Sequence, residues 1–141
     1  MRKYCEECKK EVETKVVTKK ETYDVCGEAI EVDAKVLICE ECGEEFYYEE
    51  FDNATLIQAY NEYRRKHKLL FPEEIKKIRE QYGLSQRSFA KLLNWGDKTI
   101  CRYENGSIQD KAHNSLLLFL RRPENMKTYL AENEILLDEK Q

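Results

Sequence analysis

Two C-x-x-C pairs near the beginning of the chain constrain its fold more strongly than any other feature. Cys5 and Cys8 form the first pair, and Cys39 and Cys42 form the second after 30 intervening residues. Each C-x-x-C turn brings two sulfurs to one side, so four thiolates at this spacing can surround a tetrahedral Zn²⁺. We therefore predict a structural zinc site, because a closed Cys₄ shell leaves no open position for catalysis.

Two other uses of paired cysteines compete with zinc. Structural disulfides need an oxidising compartment, and no apolar signal stretch follows the Met-Arg-Lys-Tyr-Cys start. A thioredoxin-like redox pair is disfavoured because the motif is duplicated and no βαβ pattern surrounds it. Cys26 and Cys101 have no C-x-x-C partner, and we expect them to be small, half-buried residues outside the metal site.

The residues between the two pairs predict β-strands. Residues 12–25 are rich in Val and Thr, and residues 29–38 alternate between apolar and other side chains. The alternating apolar residues are Ile30, Val32, Ala34, Val36 and Ile38. This period of two indicates strands with one buried face, joined near Cys26-Gly27. A hairpin or three-stranded sheet of this size depends on the metal for its stability.

An acidic and aromatic segment, Glu-Glu-Phe-Tyr-Tyr-Glu-Glu-Phe-Asp, follows the second cysteine pair. Tyr47, Tyr48 and Phe51 either pack on the sheet or form part of a surface that binds a partner. The sequence does not decide between these two roles.

Residues 84–106, LSQRSFAKLLNWGDKTICRYENG, predict two short helices joined by a tight turn. Ser85 precedes a helical apolar pattern, which makes it the expected N-cap of the first helix. Asn94 and Gly96 can both take the positive φ that such a turn needs. The second helix is predicted from Asp97 to Glu104, and Asn105-Gly106 is a common C-terminal stop.

The second predicted helix has one apolar side and one polar side. Ile100 and Tyr103 lie three residues apart and can face the core, whereas Lys98, Thr99 and Arg102 share another side. A polar side of this kind suits a recognition helix in the DNA major groove. The predicted DNA-binding residues are Ser85, Gln86, Arg87, Asp97, Lys98, Thr99 and Arg102. A helical hairpin without DNA-binding function is the alternative.

Four further helices are predicted around this pair. One begins at Asp52 or Asn53 and runs to about His67, with Leu56, Tyr60 and Tyr63 along one side. The others cover residues 73–82, a stretch from about Asp110 that Pro123 ends, and residues 125–133. The apolar run Leu-Leu-Leu-Phe at 116–119 either completes a five-helix core or forms a dimer interface.

Charge is distributed unevenly although the formal net charge is only −4. Residues 1–70 contain 12 Lys and Arg against 17 Asp and Glu, whereas residues 71–131 contain 11 against 7. Positive charge is concentrated around the two-helix pattern, as phosphate binding requires, and the acidic first half is expected to bind a protein. The sequence contains no apolar run of membrane-spanning length, so we expect a cytoplasmic protein without a membrane partner.

Two resemblances follow from these motifs. The segment SQRSFAKLLNWGDKTICRYENG resembles the Cro and repressor type of helix-turn-helix, which has a Ser-Gln opening and an Arg-Tyr-Glu-x-Gly closing. The order of a small Cys₄ domain, a connecting helix and this unit, over residues 4–131, resembles the MqsA-type antitoxins, also described as having a YgiT-type zinc finger. In that family the zinc domain binds and neutralises a toxin, and the C-terminal domain dimerises and represses the operon at a palindrome.

The resemblance implies roles for individual residues. Cys5, Cys8, Cys39 and Cys42 match the zinc ligands, and Arg102 matches a base-contacting arginine. Lys98 stands where the best-known family member has an asparagine, which implies a different operator sequence. The resemblance identifies no toxin-facing motif in this chain.

These observations lead to one set of expectations. The fold class is α+β, with a small zinc-bound β-rich N-terminal domain and an all-α five-helix Cro/repressor-like helix-turn-helix domain. The expected domains are a Cys₄ zinc-binding β domain at 1–51, a connecting helix or linker at 52–70, a DNA-binding and dimerisation domain at 71–133, and an acidic tail at 134–141.

The expected function is that of a type II antitoxin that represses its own operon. Its expected partners are double-stranded operator DNA, a protein toxin and a second copy of the chain in a homodimer. The alternative is a stand-alone repressor whose zinc domain is only structural. An enzyme is disfavoured because no nucleophile, acid-base pair or open metal site is evident, and a redox or zinc sensor would have to act through Cys26 or Cys101.

Overall fold

The computed structural model describes residues 1–133, and the predicted acidic tail at 134–141 lies outside them. The described part contains a four-stranded antiparallel sheet in the order β1-β2-β3-β4, followed by six α-helices. The strands are β1 (Arg2–Cys5), β2 (Lys10–Val25), β3 (Glu28–Cys39) and β4 (Glu45–Phe46). The helices are α1 (Glu49–His67), α2 (Pro72–Gln81), α3 (Gln86–Leu92), α4 (Thr99–Glu104), α5 (Lys111–Leu120) and α6 (Pro123–Glu132). The predicted α+β class is confirmed.

The chain divides into two compact units, one spanning Met1–Tyr63 and one beginning at Arg64. The first unit contains the sheet and most of α1, and the second contains α2 to α6. Among the described residues, no helix combines the length and the apolar character needed to cross a membrane.

A long hairpin of β2 and β3 forms the frame of the first unit. Its turn is Cys26-Gly27, as predicted, with φ of 52° and 83° between the paired residues Val25 and Glu28. Positive φ at both central residues is what a type I′ hairpin turn requires. The Asp24 carboxylate accepts a hydrogen bond of 2.8 Å from the Gly27 amide. The Cys26 side chain is exposed, so its predicted half-burial is wrong, because a residue at a hairpin tip has few neighbours.

The buried face of β3 changes along the strand. Ile30, Val32 and Ala34 are buried as predicted, but Leu37 and Cys39 then replace Val36 and Ile38 as the buried residues. The register with β2 runs unbroken from Thr14↔Cys39 to Val25↔Glu28, so these two sets point to opposite faces of the hairpin. The prediction of a single buried face is therefore wrong beyond Ala34. The physical reason is that the two ends of a long, twisted hairpin meet different partners.

Helix α1 lies near the hairpin turn at Tyr63. The phenol of Tyr63 forms a hydrogen bond with the Cys26 thiol, and burial together with the nearby Cys26 raises the pKa of Tyr63. Thr55 and Ala59 are the buried residues of α1 in this unit, whereas Leu56 is 42% exposed. The prediction for Leu56 is therefore wrong, because Thr55 and Ala59, four residues apart on one side of α1, are the buried residues instead.

The second unit has one apolar core built from all five of its helices. The buried core residues are Leu70, Ile75, Ile78, Leu84, Phe89, Ala90, Leu92, Leu93, Ile100, Leu117, Leu120 and Met126. The predicted α2 stripe is confirmed, because Ile75 and Ile78 are buried and Tyr82 packs against them while donating its hydroxyl to the Leu120 carbonyl. Of the apolar run at 116–119, Leu117 lies in the core and Phe119 is exposed.

A buried amide network holds the segment between α1 and α2. The Asn114 side-chain oxygen accepts from the Leu70 amide at 2.9 Å, and the Gln109 side chain donates to the Leu70 carbonyl at 2.9 Å and to Asn114 at 3.0 Å. Arg64 is also buried and donates to the Gly106 carbonyl at 2.7 Å. The start of the second unit is thus fixed by polar contacts to the segment after α4 and to α5.

Candidate metal centre and nucleic-acid interface

The four predicted cysteine ligands come together in the first unit. The Cys5 and Cys42 sulfurs are 3.5 Å apart, the Cys8 and Cys39 sulfurs are 3.9 Å apart, and all four lie within 4.8 Å of one another. A tetrahedral Zn²⁺ with Zn–S bonds of about 2.3 Å separates its sulfurs by about 3.8 Å. The four thiols therefore have the number, type and spacing that a zinc ion needs.

Both C-x-x-C turns have the same backbone design. In the first turn the Lys9 amide donates to the Cys5 carbonyl at 2.7 Å, and in the second the Gly43 amide donates to the Cys39 carbonyl at 3.0 Å. The residue four positions after the first cysteine has positive φ in both turns, 57° at Lys9 and 79° at Gly43. In each turn a backbone amide also donates to the first sulfur at 3.4 Å. The two turns therefore present their pairs of sulfurs in the same way, one turn following β1 and the other following β3.

The thiols influence each other's ionisation. Burial opposes ionisation of Cys39, but hydrogen bonds from the Cys42 and Glu41 amides and from neighbouring thiols lower its pKa to about 7. The hydrogen bond with Cys42, followed by burial, raises the pKa of Cys8 to about 12. Cys39 thus ionises more readily than Cys8. A bound dication is what would stabilise the full set as thiolates.

Burial of the metal centre is uneven. Cys5 and Cys39 are buried with Val12 in a small core against which Cys8 and Phe46 pack, while Cys42 is exposed. An ion pair of 3.0 Å between Lys10 and Glu41 lies between the two turns. The four-cysteine cluster therefore joins the end of β1, the end of β3 and the turns that follow them.

The helices α3 and α4 with their connection form the second candidate site, here named the α3–α4 unit (residues 85–106). The Ser85 hydroxyl accepts from the Ser88 amide at 3.0 Å, which confirms the predicted N-cap. Asn94 adopts a φ of 62°, as predicted, but Gly96 does not take positive φ. Gly96 instead lies close to Thr99, and a Cβ at this position would be 3.3 Å from the Thr99 hydroxyl.

Helix α4 is shorter than predicted. It begins at Thr99 rather than Asp97, because Gly96 to Lys98 form a turn in which the Gly96 carbonyl accepts from the Thr99 amide at 3.0 Å. Ile100 and Tyr103 face the core as predicted. The chain leaves the helix through Gly106, whose φ is 116°.

The predicted DNA-binding residues form two neighbouring groups. Ser85, Gln86 and Arg87 lie at the start of α3, and Asp97, Lys98, Thr99 and Arg102 lie in the turn before α4 and on α4 itself. Arg87 and Asp97 join the groups through an ion pair of 3.5 Å. Lys98 and Arg102 are exposed, whereas Thr99 is half-buried. These two exposed cations, one just before α4 and one on it, are available to an anionic partner.

The Gln86 side chain has a hydrogen-bond partner within the chain that the sequence did not suggest. Its side chain donates to the Glu104 carboxylate at 3.1 Å, and Arg79 of α2 forms a two-point ion pair with the same carboxylate. Glu104 lies four residues after the buried Ile100 and shares its side of α4. A carboxylate on the core-facing side of a helix requires a cation nearby. The position of Glu104 in the sequence is therefore a signal that could have revealed its partner Arg79.

An aromatic cluster fixes the turn to α4 and α5. The rings of Trp95 and His113 stack with centroids 3.8 Å apart, and the Tyr103 hydroxyl is 2.7 Å from His113 Nδ1. Burial, followed by the charge of Asp110, raises the pKa of Tyr103. The sequence gives no signal for this cluster, because the two aromatic partners of His113 lie 10 and 18 residues away in the chain.

The fold and the two sites define a class of protein with a β-rich unit that can hold a metal and an all-helical unit that presents basic side chains. A family model described as the antitoxin component of a bacterial toxin-antitoxin system, MqsA, matches residues 3–130. The chain therefore belongs to the MqsA antitoxin family, which is regulatory rather than enzymatic. A comparison with curated proteins found no match.

Proposed function

We propose that the protein is a type II antitoxin that binds a toxin through its first unit and represses its own operon through its second. The observation that carries this proposal is the family match, which covers nearly the whole chain. The bound ion is zinc, held by Cys5, Cys8, Cys39 and Cys42, and its role is structural. The protein works in the cytoplasm.

The charges of the two units support different partners for them. Met1–Tyr63 contains 8 Lys and Arg against 17 Asp and Glu, whereas the described residues 64–133 contain 15 against 8. The second unit therefore attracts a polyanion and the first repels one. This separation favours operator DNA as the partner of the second unit and a protein as the partner of the first.

The α3–α4 unit acts as a helix-turn-helix in this proposal. A homodimer inserts α4 of each copy into successive major grooves about 34 Å apart. Arg102 reads a guanine, and Lys98 contacts a guanine or a phosphate. Ser85, Gln86, Arg87, Asp97 and Thr99 position the backbone or read a neighbouring base.

Operator binding by variants tests the DNA-binding half. Arg102→Ala should weaken binding to a duplex from the protein's own promoter by about tenfold and relax sequence preference at one position per half-site. Lys127→Ala removes an exposed cation of α6 outside the predicted surface and should change affinity much less. Unchanged affinity and preference for Arg102→Ala would contradict this half of the proposal.

Direct binding tests the antitoxin half. The purified chain is mixed with the product of the small reading frame next to its gene, and the complex is measured by native mass spectrometry. A stable stoichiometric complex supports the antitoxin role. Promoter binding without any such complex would instead identify a stand-alone repressor.

A further inference from the structure

The first unit has an open strand edge that the proposed function does not assign. Strand β4 pairs with β3 only at Leu37↔Phe46 and Ile38↔Glu45. Within the described part of the chain, residues 29–36 of β3 pair with β2 alone. An edge of this length is a template for an additional strand.

An aromatic groove begins where β4 ends. Its volume is about 280 Å³, and the residues around it include Val36, Leu37, Phe46, Tyr47, Tyr48 and Phe51. Tyr48 and Phe51 are held in an edge-to-face pair with centroids 4.7 Å apart, whereas Tyr47 is 75% exposed. A projecting tyrosine beside a fixed aromatic wall is the usual make-up of a binding hot spot.

The groove lies in the most acidic segment of the chain. Residues 40–52 contain seven Asp and Glu and no Lys or Arg. Three carboxylates border the groove, those of Glu21, Glu45 and Asp52. Two cations lie nearby. Lys35 also borders the groove, and Lys19 forms ion pairs with Glu21 and Glu45. The surroundings therefore favour a basic occupant.

The size and position of the groove determine the kind of occupant. A volume of about 280 Å³ holds one or two side chains and falls below the range typical of small-molecule sites. The groove is continuous with the open edge of β3 at Val36. These features suit an extended segment that pairs along the edge and places a side chain in the groove.

We propose that the groove at Tyr47 and the open edge of β3 form the docking surface for an extended basic segment of the toxin. This inference rests on the proposed antitoxin function and adds the surface and the chemistry of the partner. A second copy of the chain is the competing occupant, because its second unit is also basic.

Matched tyrosine variants of the full, zinc-loaded chain test the surface. Tyr47→Ser removes the projecting ring, and Tyr4→Ser removes a ring that is 56% exposed on β1 and does not border the groove. Calorimetry with the purified product of the adjacent toxin frame should show at least tenfold weaker binding for Tyr47→Ser and less than twofold for Tyr4→Ser. Zinc content and operator binding confirm that each variant folds.

Hydrogen exchange on the wild-type complex provides a second readout, with protection expected at residues 29–36. Binding that is unaffected by Tyr47→Ser, without protection of this edge, would overturn the docking surface while leaving the antitoxin function intact. Absence of any complex with the wild-type chain would overturn both. Self-association of the chain alone that Tyr47→Ser abolishes would assign the groove to a second copy and overturn the proposal.

Discussion

Arg79 and Glu104 form a two-point ion pair, with Nε 2.8 Å from Oε2 and Nη2 3.0 Å from Oε1. The Arg79 side chain is 13% exposed and that of Glu104 is 6% exposed. Arg79 also donates to the Leu84 carbonyl at 2.9 Å, and Gln86 donates to Glu104. One carboxylate thus ties α4 to α2 and to the start of α3, so it sets the geometry on which the proposed DNA contacts depend.

Removing this carboxylate should destabilise the second unit strongly. We expect Glu104→Gln to lower the free energy of unfolding by about 3 kcal/mol, because the buried Arg79 charge loses its two-point partner and keeps only the exposed Glu80 at 4.0 Å. Urea denaturation followed by Trp95 fluorescence measures the loss. Glu80→Gln, which removes an exposed partner of Lys76 and Arg79, should change stability by less than about 0.5 kcal/mol. Equal losses in the free energy of unfolding for the two variants would show that the buried ion pair stabilises the unit no more than the exposed one.

Metal removal should unfold the first unit selectively. A strong chelator should abolish the strand signal in circular dichroism while the helical signal of α2 to α6 persists, because small metal domains gain much of their folding free energy from the ion. Re-addition of zinc should restore the strand signal. A chelated protein that keeps its strands would contradict the structural role of the metal.

Single cysteine variants should separate the ligands from the other cysteines. Cys39→Ser should reduce the zinc content below one ion per chain, because Cys39 is a buried member of the four-sulfur cluster. Cys26→Ser serves as the control, since Cys26 is exposed at the hairpin turn and should leave the zinc content at one. Elemental mass spectrometry of the purified variants makes the measurement.

The amide network around Leu70 should also contribute to the stability of the second unit. Asn114→Ala leaves the buried Leu70 amide without its acceptor and removes one of the two acceptors of the Gln109 side chain, and we expect a loss of about 2 kcal/mol. Ser115→Ala on the neighbouring exposed position of α5 is the matched control and should be nearly neutral. Urea midpoints at constant m-value give the comparison, and a neutral Asn114→Ala would rule out a stabilising network.

The Ser85 cap gives a smaller and more local prediction. Ser85→Ala removes the hydroxyl that accepts from the Ser88 amide and should cost about 1 kcal/mol. Ser85→Asp keeps an acceptor at this position and should recover most of that loss. A full loss in Ser85→Asp would mean that the hydroxyl acts through some contact other than the cap.

Local rules explain which features the sequence revealed. The cap at Ser85, the positive φ at Asn94 and the two cysteine turns each depend on residues within about five positions of one another. The Arg79–Glu104 pair, the contact of Leu70 with Asn114 and the burial of Ala59 depend on packing between distant segments. Periodicity identifies a helix or a strand, but the partner that packs on it decides which of two neighbouring residues is buried.

The change of buried face along β3 should be visible in how each position of the strand tolerates substitution. If every position of β3 is changed to lysine and folded protein is selected, the sensitive positions should have even numbers at Ile30, Val32 and Ala34 and odd numbers at Leu37 and Cys39. A random collection of functional variants would therefore contain a reversal of parity near residue 36. Such a reversal, found without any structure, would locate the point where burial passes from the face that contains Ile30 to the end that contains the cysteine cluster.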